Sequence, residues 1–359
     1  MRLLFPVILA GSFWNCSAQI SDVGTFIHQK GDSLYKSSKV PGIFIGVLHK
    51  GVARYFNFGY ANPDKKMPFD SATIFEAGSI TKTFTAFVLV SVLKEKGISE
   101  NQSILGYLPD SVQGNKALEK ISFLNLLNHT SGLPRLPDNM SLTENAMSPY
   151  DRYKAGDLFS YLRTAVPKPD GKSNYSNLGM GLAGVLAERI SGKRYAVLLD
   201  EYIFLPFHLV TPANALANAA DNKSQGYFGD DQSAYWNMDV MAPAGGLKCS
   251  AKEMLGYLKE ISAPSNAAIK PIVDTLLQPT VRVNERVSVG RAWHTLENKN
   301  KPVVYWHNGG TYGFSTFAAF LKGGEEAVIV VVNQFNTNKV SDGLGMAIMN
   351  KLIELNSKP

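Results

Sequence analysis

Cysteine is nearly absent from this chain of 359 residues, which has only Cys16 and Cys249. Cys16 lies in an N-terminal stretch with the marks of a secretory leader: Arg2, an apolar run over residues 3–10, and Ser17 and Ala18 ahead of Gln19. Cleavage near Ala18 leaves Cys249 alone, which excludes an intramolecular disulfide and a thiolate metal site. Phe13, Trp14 and Asn15 are bulky where lipid attachment at Cys16 would want small residues, so the expectation is export to the periplasm without an anchor. The leader's apolar run is too short to cross a bilayer and no other stretch approaches that length, so stable membrane insertion is not expected. The six histidines show no His-Glu-x-x-His or other paired ligand spacing, which argues against a bound metal, and nothing calls for a cofactor. The net charge of +6 comes without basic runs interleaved with aromatics, so a nucleic-acid partner is not expected. Also missing is any Gly-x-Ser-x-Gly elbow, which disfavours a Ser-His-Asp hydrolase of that type.

What is present is an ordinary globular composition, 45% hydrophobic and 18% charged, enough for one large domain or two interleaved ones. Val23, Phe26, Ile27 and Leu34 predict an amphipathic helix over residues 21–39. Two β-like runs, 43–49 and 52–60, meet at Lys50-Gly51 and read as a hairpin. From 79 to about 277 the pattern is mainly helical, with helices expected over 118–128, 155–164, 179–191, 195–203 and 251–261. Long loops at 134–150 and 214–236 are the kind that line sites. The end returns to strands at 303–306, 314–321 and 327–333, with Gly323-Gly324 turning the last pair, and a final helix over 341–356. The fold class is therefore α+β. An antiparallel sheet is built from both chain ends, about 19–78 and 285–359, and a mostly helical part, about 79–284, is inserted between them. A cleft is expected at the junction.

The stretch Phe75-Glu-Ala-Gly-Ser79-Ile-Thr-Lys82 opens a helix expected over 79–96, with Phe84, Phe87, Val88, Val92 and Leu93 at helical spacing and Gly97 as its stop. Ser79 and Lys82 share a helix face, and the first turn's free N–H groups favour negative charge near the hydroxyl. A buried lysine there can accept the hydroxyl proton, and a charged one can stabilise its new carrier. Spacing alone does not single the pair out, since Ser33/Lys36 and Ser91/Lys94 repeat it. Ser173-Asn-Tyr175-Ser-Asn177 is either a polar turn capping the next helix or a phenol and a carboxamide facing one cleft. Trp306-His307-Asn-Gly309-Gly310-Thr-Tyr-Gly313 closes a strand with three glycines, which fits a turn, a bulge or a ligand approaching the backbone. In Asn128-His129-Thr-Ser-Gly132-Leu-Pro134, Gly132 is expected to cap a helix C-terminus and His129 to bond loop backbone.

Taken in order, Ser79-x-x-Lys82, Tyr175-x-Asn177 and His307-x-Gly309 resemble the serine β-lactamase and penicillin-binding protein superfamily, in the branch of class C β-lactamases, D-Ala-D-Ala peptidases and related esterases. Asn128 to Pro134, Ala242-Pro-Ala-Gly-Gly-Leu247 and Gly309-Gly-Thr-Tyr-Gly-Phe-Ser315 extend the likeness from about residue 21 to the C-terminus. The resemblance implies Ser79 as acylated nucleophile, Lys82 and Tyr175 as acid/base groups, Asn177 holding the substrate amide, and the backbone N–H groups of Ser79 and Gly310 as oxyanion hole. It implies that lysine lowers the pKa of Tyr175 and makes it the base for water in deacylation, that His307, Gly309 and Gly310 bind substrate, and that the enzyme acts on a β-lactam, D-alanyl peptide or ester; a monomer is expected. Class C β-lactamases carry Lys-Thr-Gly where this chain has His307-Asn-Gly309. A histidine with a pKa of about 6.5 is largely neutral where lysine would hold a carboxylate, so activity on carboxylate-bearing substrates should rise as pH falls through that value. The departure keeps open a carboxylesterase with an apolar cleft around Trp236, Trp293 and Tyr312, and also a non-catalytic binding protein.

Overall fold

The computed structural model describes residues 12–141, 147–213 and 221–357, with side chains from residue 23 onward. The expected leader lies outside these residues except for backbone at 12–18, and the loops at 134–150 and 214–236 are described in part.

Helix α1 (Ser12–Ser38) leads into a hairpin of β1 (Gly42–His49) and β2 (Val52–Gly59). Lys50 and Gly51 both have positive φ, +50° and +76°, as a tight two-residue turn between right-twisted strands requires. A short strand, β3 (Ile74–Glu76), then passes through one 3-10 turn, Gly78–Ile80, into α2 (Thr81–Glu95). The middle of the chain contributes α3 (Phe123–Leu127), α4 (Ala155–Leu162), α5 (Asn177–Ser191), a two-stranded ribbon of β4 (Gly226–Phe228) and β5 (Asp231–Ser233), and α6 (Ala242–Gly245). Strand β6 (Lys248–Ser250) pairs antiparallel with β3, and α7 (Ala251–Ser262) and α8 (Lys270–Leu277) complete this region. The chain ends in β7 (Val281–Arg282), β8 (Val287–Val289), β9 (His294–Leu296), β10 (Val304–Gly310), β11 (Ser315–Leu321), β12 (Ala327–Val332) and α9 (Asn338–Asn356).

Eight of these strands form one antiparallel sheet in the order β2-β1-β12-β11-β10-β9-β8-β7, so the N-terminal hairpin docks against the last strand, as expected of a sheet built from both ends. Strands β1 and β12 are buried along their whole length, because helices cover both faces. Alternation sends Ile43, Ile45, Val328 and Val330 to the core under α1 and α9, and Phe44, Leu48, Ile329 and Val331 to the core shared with the helical region. Helix α2 is buried from Thr81 to Leu93, on every side. An apolar surface all round makes it the central post of the helical region rather than an amphipathic cover.

Three details differ from expectation. The helix expected over 118–128 is divided, because Ser122 and Asn125 form a capping box that starts a new helix at Phe123. Gly132 caps no helix, since α3 ends at Leu127; it has φ +70° and lies where a Cβ would be 2.3 Å from the Lys168 carbonyl carbon. Strands β7 to β9 extend the sheet back to Val281, and at two or three residues each they are too short for a periodic signal.

Helix α9 tests how tightly the outer layer is fitted. A Cβ on Gly345 would sit 2.1 Å from Phe317 Cδ1, whereas one on Gly343 meets nothing within 4 Å. Gly345→Ala should therefore destabilise the protein by about 1–3 kcal/mol, and Gly343→Ala should leave it unchanged or stabilise it by up to about 1 kcal/mol. Thermal melting of the two variants checks both signs.

Candidate active site

Ser79 stands in the middle of the 3-10 turn between β3 and α2. The turn is held from both sides. Thr81 Oγ1 donates to Gly78 O at 2.6 Å and accepts from Leu247 N at 3.1 Å, and Ala77 N donates to Leu247 O at 2.9 Å. Gly78 has φ +55°, and a Cβ there would lie 2.6 Å from Gly310 N. Only glycine lets the strand β10 pass so close to the serine.

Lys82, one helical turn on, is fully buried. Its Nζ lies 3.0 Å from Ser79 Oγ and donates to Ala244 O at 2.6 Å. Burial, and secondly the positive charge of Arg135, hold its pKa well below the ordinary 10.5. A lysine so placed favours the neutral amine, whose lone pair can take a hydroxyl proton.

Tyr175 packs over this pair. Its ring lies 4.7 Å from Lys82 Nζ and 5.0 Å from Arg135 Cζ, and its hydroxyl is hydrogen-bonded to Ser79. The expected lowering of its pKa does not occur. Burial removes more phenolate solvation than the bond to Ser79 and the charge of Arg135 restore, and the phenol is pushed up to about 12. Tyr175 is thus a protonated donor. His129 lies against its ring, centroids 4.7 Å apart, and Nδ1 of His129 accepts from Ser176 N at 3.3 Å, which fixes the turn. Asn177 begins α5, its side chain bonded to Tyr150 and its backbone N donating to Arg135 O at 3.0 Å; its Oδ1 is buried without a partner.

The third motif divides. Asn308, Gly309 and Gly310 line the cavity that Ser79 opens into. A Cβ on Gly309 would lie 2.1 Å from Ala77 O and 3.0 Å from Ser79 N, so the N–H groups of Ser79 and Gly310 share the cavity floor because residues 309 and 78 are both glycine. His307, by contrast, is fully buried beneath the cavity and absent from its lining. Its Nδ1 lies 2.6 Å from Asn308 O, its ring is 5.2 Å from that of His294, and burial lowers its pKa well below 6.5. His307 shares its strand face with Gly309, toward Ser79 and Lys82, but it is sealed below the cavity, so the rise in activity expected of a substrate-facing histidine at lower pH does not follow.

The cavity holds about 470 Å³ and brings Ser79, Tyr175, Asn177, Gly309 and Gly310 together with an aromatic wall of Tyr150, Trp236, Tyr312 and Phe335. Trp293 is buried in the core and does not belong to that wall. Sequence reading missed Arg135, Tyr150 and Asn308, although the first two fall at the ends of a loop whose length marked it as site-lining. It also missed Glu76, three residues before Ser79. This buried carboxylate accepts from Trp236 N at 2.6 Å and from Thr311 Oγ1 at 2.8 Å, tying both walls to β3. Among the described residues no cluster of His, Cys, Asp and Glu could hold a metal.

Two variants test this geometry. Gly309→Ala should displace the Ser79 N–H and lower kcat by about 100-fold or more, in line with loss of an oxyanion donor. Lys82→Met removes a group that the unfolded chain protonates below about 10.4 and the folded chain only below its lowered pKa. Between those two values the unfolded state holds the extra proton, so the wild type should gain stability over Lys82→Met as pH rises, by up to about 1.4 kcal/mol per pH unit. Urea unfolding of both proteins across pH checks the slope; a difference independent of pH would mean that Lys82 is charged in the fold.

The profile of the Beta-lactamase family matches residues 26–352. A β-lactamase of Providencia stuartii is 26% identical over 229 residues, 63% of this chain and 56% of its own length. One of Pseudomonas fluorescens is 30% identical over 185 residues, 51% of this chain and 48% of its own length, so these matches span about half of the relatives. The crystal structure of a class C β-lactamase from Rhodobacter sphaeroides superposes with a TM-score of 0.75 at 21% identity, covering 91% of this chain and 98% of that one, a likeness of fold. With the family profile matched over almost its whole length, the chain belongs to the Beta-lactamase family.

Proposed function

We propose that the protein is a serine hydrolase that acylates Ser79 and cleaves β-lactam or D-alanyl-type amide bonds. The observation that carries this reading is the buried Lys82 amine, 3.0 Å from Ser79 Oγ and without a carboxylate partner among the described residues. In the proposed sequence the Ser79 proton passes to Lys82 as Oγ attacks the carbonyl carbon, and the oxyanion forms against the N–H groups of Ser79 and Gly310. One such donor is worth about 3 kcal/mol in the transition state. Tyr175, protonated at rest, gives its proton to the leaving nitrogen as the C–N bond breaks and regains one from Lys82. In deacylation the direction reverses: water loses a proton toward the Tyr175/Lys82 pair, and Ser79 leaves with one. Asn177 holds the acyl amide. The amide substrate class is supported by the curated relatives, which are β-lactamases.

A carboxylesterase using the same Ser79 is the second reading, favoured by the aromatic wall of Tyr150, Trp236, Tyr312 and Phe335 and by the absence of a charged group at His307. Export remains part of the proposal on the strength of the leader-like residues 1–18. The described helices include none long and apolar enough to cross a membrane.

The test is the intact mass of the mature protein after brief exposure to a penicillin, beside Ser79→Ala, with a chromogenic cephalosporin and a 4-nitrophenyl ester assayed in parallel. A Ser79-dependent adduct with cephalosporin turnover is the expected result. A long-lived adduct without turnover would make it a penicillin-binding peptidase, and ester cleavage without an adduct would make it an esterase. Full activity in Ser79→Ala on every substrate would overturn the nucleophile.

A further inference from the structure

Arg135 is the only charged side chain among the described residues lining the cavity. Elsewhere the fold engages several cations: Arg291 is paired with Glu100, Lys154 with Asp239 and Lys248 with the Trp236 carbonyl. Among the described residues Arg135 has no such partner. Its contact is with the Tyr175 ring, 5.0 Å from the guanidinium carbon, which leaves N–H groups for a ligand. Its position is set by backbone, since Arg135 O accepts from Asn177 N at 3.0 Å and from Leu178 N at 3.2 Å at the start of α5. Arg135 is exposed to solvent, but its backbone is rooted at the start of α5, at Asn177 and two residues after Tyr175.

The sheet wall of the same cavity is arranged the opposite way. Its polar lining is Asn308, Asn336 and Asn338, all neutral. Asn308 Nδ2 donates to Asp342 at 2.7 Å, and Asn338 Nδ2 donates to Gly309 O at 3.0 Å, so this wall has a carboxylate behind it and no cation among its described lining residues. A substrate anion seated along β10 would meet no charged partner among the described lining residues and would have the Asp342 carboxylate behind Asn308. On the helical wall it would meet a fork of donors 5 Å from the reacting tyrosine ring.

We propose that Arg135 determines substrate choice by binding a carboxylate on the acyl portion of the substrate, beside Asn177 on the helical wall, rather than at the third motif. The inference rests on the serine-hydrolase reading for the reaction, but the binding contact stands apart from it. It narrows the substrate class to acyl donors with an acidic side chain.

The test uses two esters of equal length, 4-nitrophenyl hydrogen glutarate and 4-nitrophenyl pentanoate, which differ by a terminal carboxylate in place of a methyl group. Their dissociation constants are measured by calorimetry on Ser79→Ala and on Ser79→Ala combined with Arg135→Ala or Arg135→Lys. Loss of Arg135 should weaken the glutarate ester about tenfold or more, as for a hydrogen bond to a charged group, move the pentanoate ester less than about threefold, and be partly restored by lysine. Equal weakening of both esters would assign Arg135 to support of Tyr175 and overturn the proposal, as would an unchanged glutarate ester. Hydrolysis of these esters and of the cephalosporin by the unsubstituted protein, read separately, bears on Ser79 alone: failure on all of them with charge-selective binding intact would remove the hydrolase reading and leave Arg135 as an anion site.

Discussion

The burial of one lysine amine organises this molecule. Lys82 sits inside the most buried helix of the fold, with Ser79 Oγ and the Ala244 carbonyl as its polar contacts. A charged amine there would lack both water and a counter-ion, so the fold favours the neutral form, and that form is a base at hydrogen-bond distance from a hydroxyl. The same burial keeps Tyr175 protonated. Two neighbouring groups are thus displaced in opposite senses, the amine toward acceptor and the phenol toward donor, which is the division of labour that acyl transfer needs.

The rest of the structure buries that amine and fixes the floor beside it. Strand β10 comes so close to the Ser79 turn that Gly78 and Gly309 cannot carry a Cβ, and Glu76 ties Trp236 on one wall to Thr311 on the other. The sheet needs residues from both ends of the chain to bring β10 beside a turn more than two hundred positions earlier. Helices pack on both of its faces and bury β1 and β12 along their length.

Much of this was legible in the sequence where the information is local. Ser79 and Lys82 are one helical turn apart, Tyr175 and Asn177 share a turn, and the hairpin at Lys50-Gly51 and the long apolar strands β1 and β12 announce themselves by composition. What was not legible depends on which way a residue points after folding. Packing seals His307 below the cavity although it shares a strand face with Gly309, and the pKa of Tyr175 follows from desolvation that no spacing reveals. Arg135 stood beside a recognisable segment, yet its lack of an acidic partner among the described residues is a property of the packed structure. Strands β7 to β9 are too short to leave a pattern, and Ser122 divides a helix that periodicity alone would run through.

The central claim is that Lys82 is the base, and its protonation state can be read directly. The protein labelled with ¹³C at lysine ε-carbons, compared with Lys82→Met to assign the signal, should show one Cε resonance titrating well below 10.5. The shift should be that of a neutral amine at the pH where the enzyme is most active. A Lys82 signal that stays in its charged position up to the ordinary lysine range would contradict the account and leave Ser79 without the base assigned here.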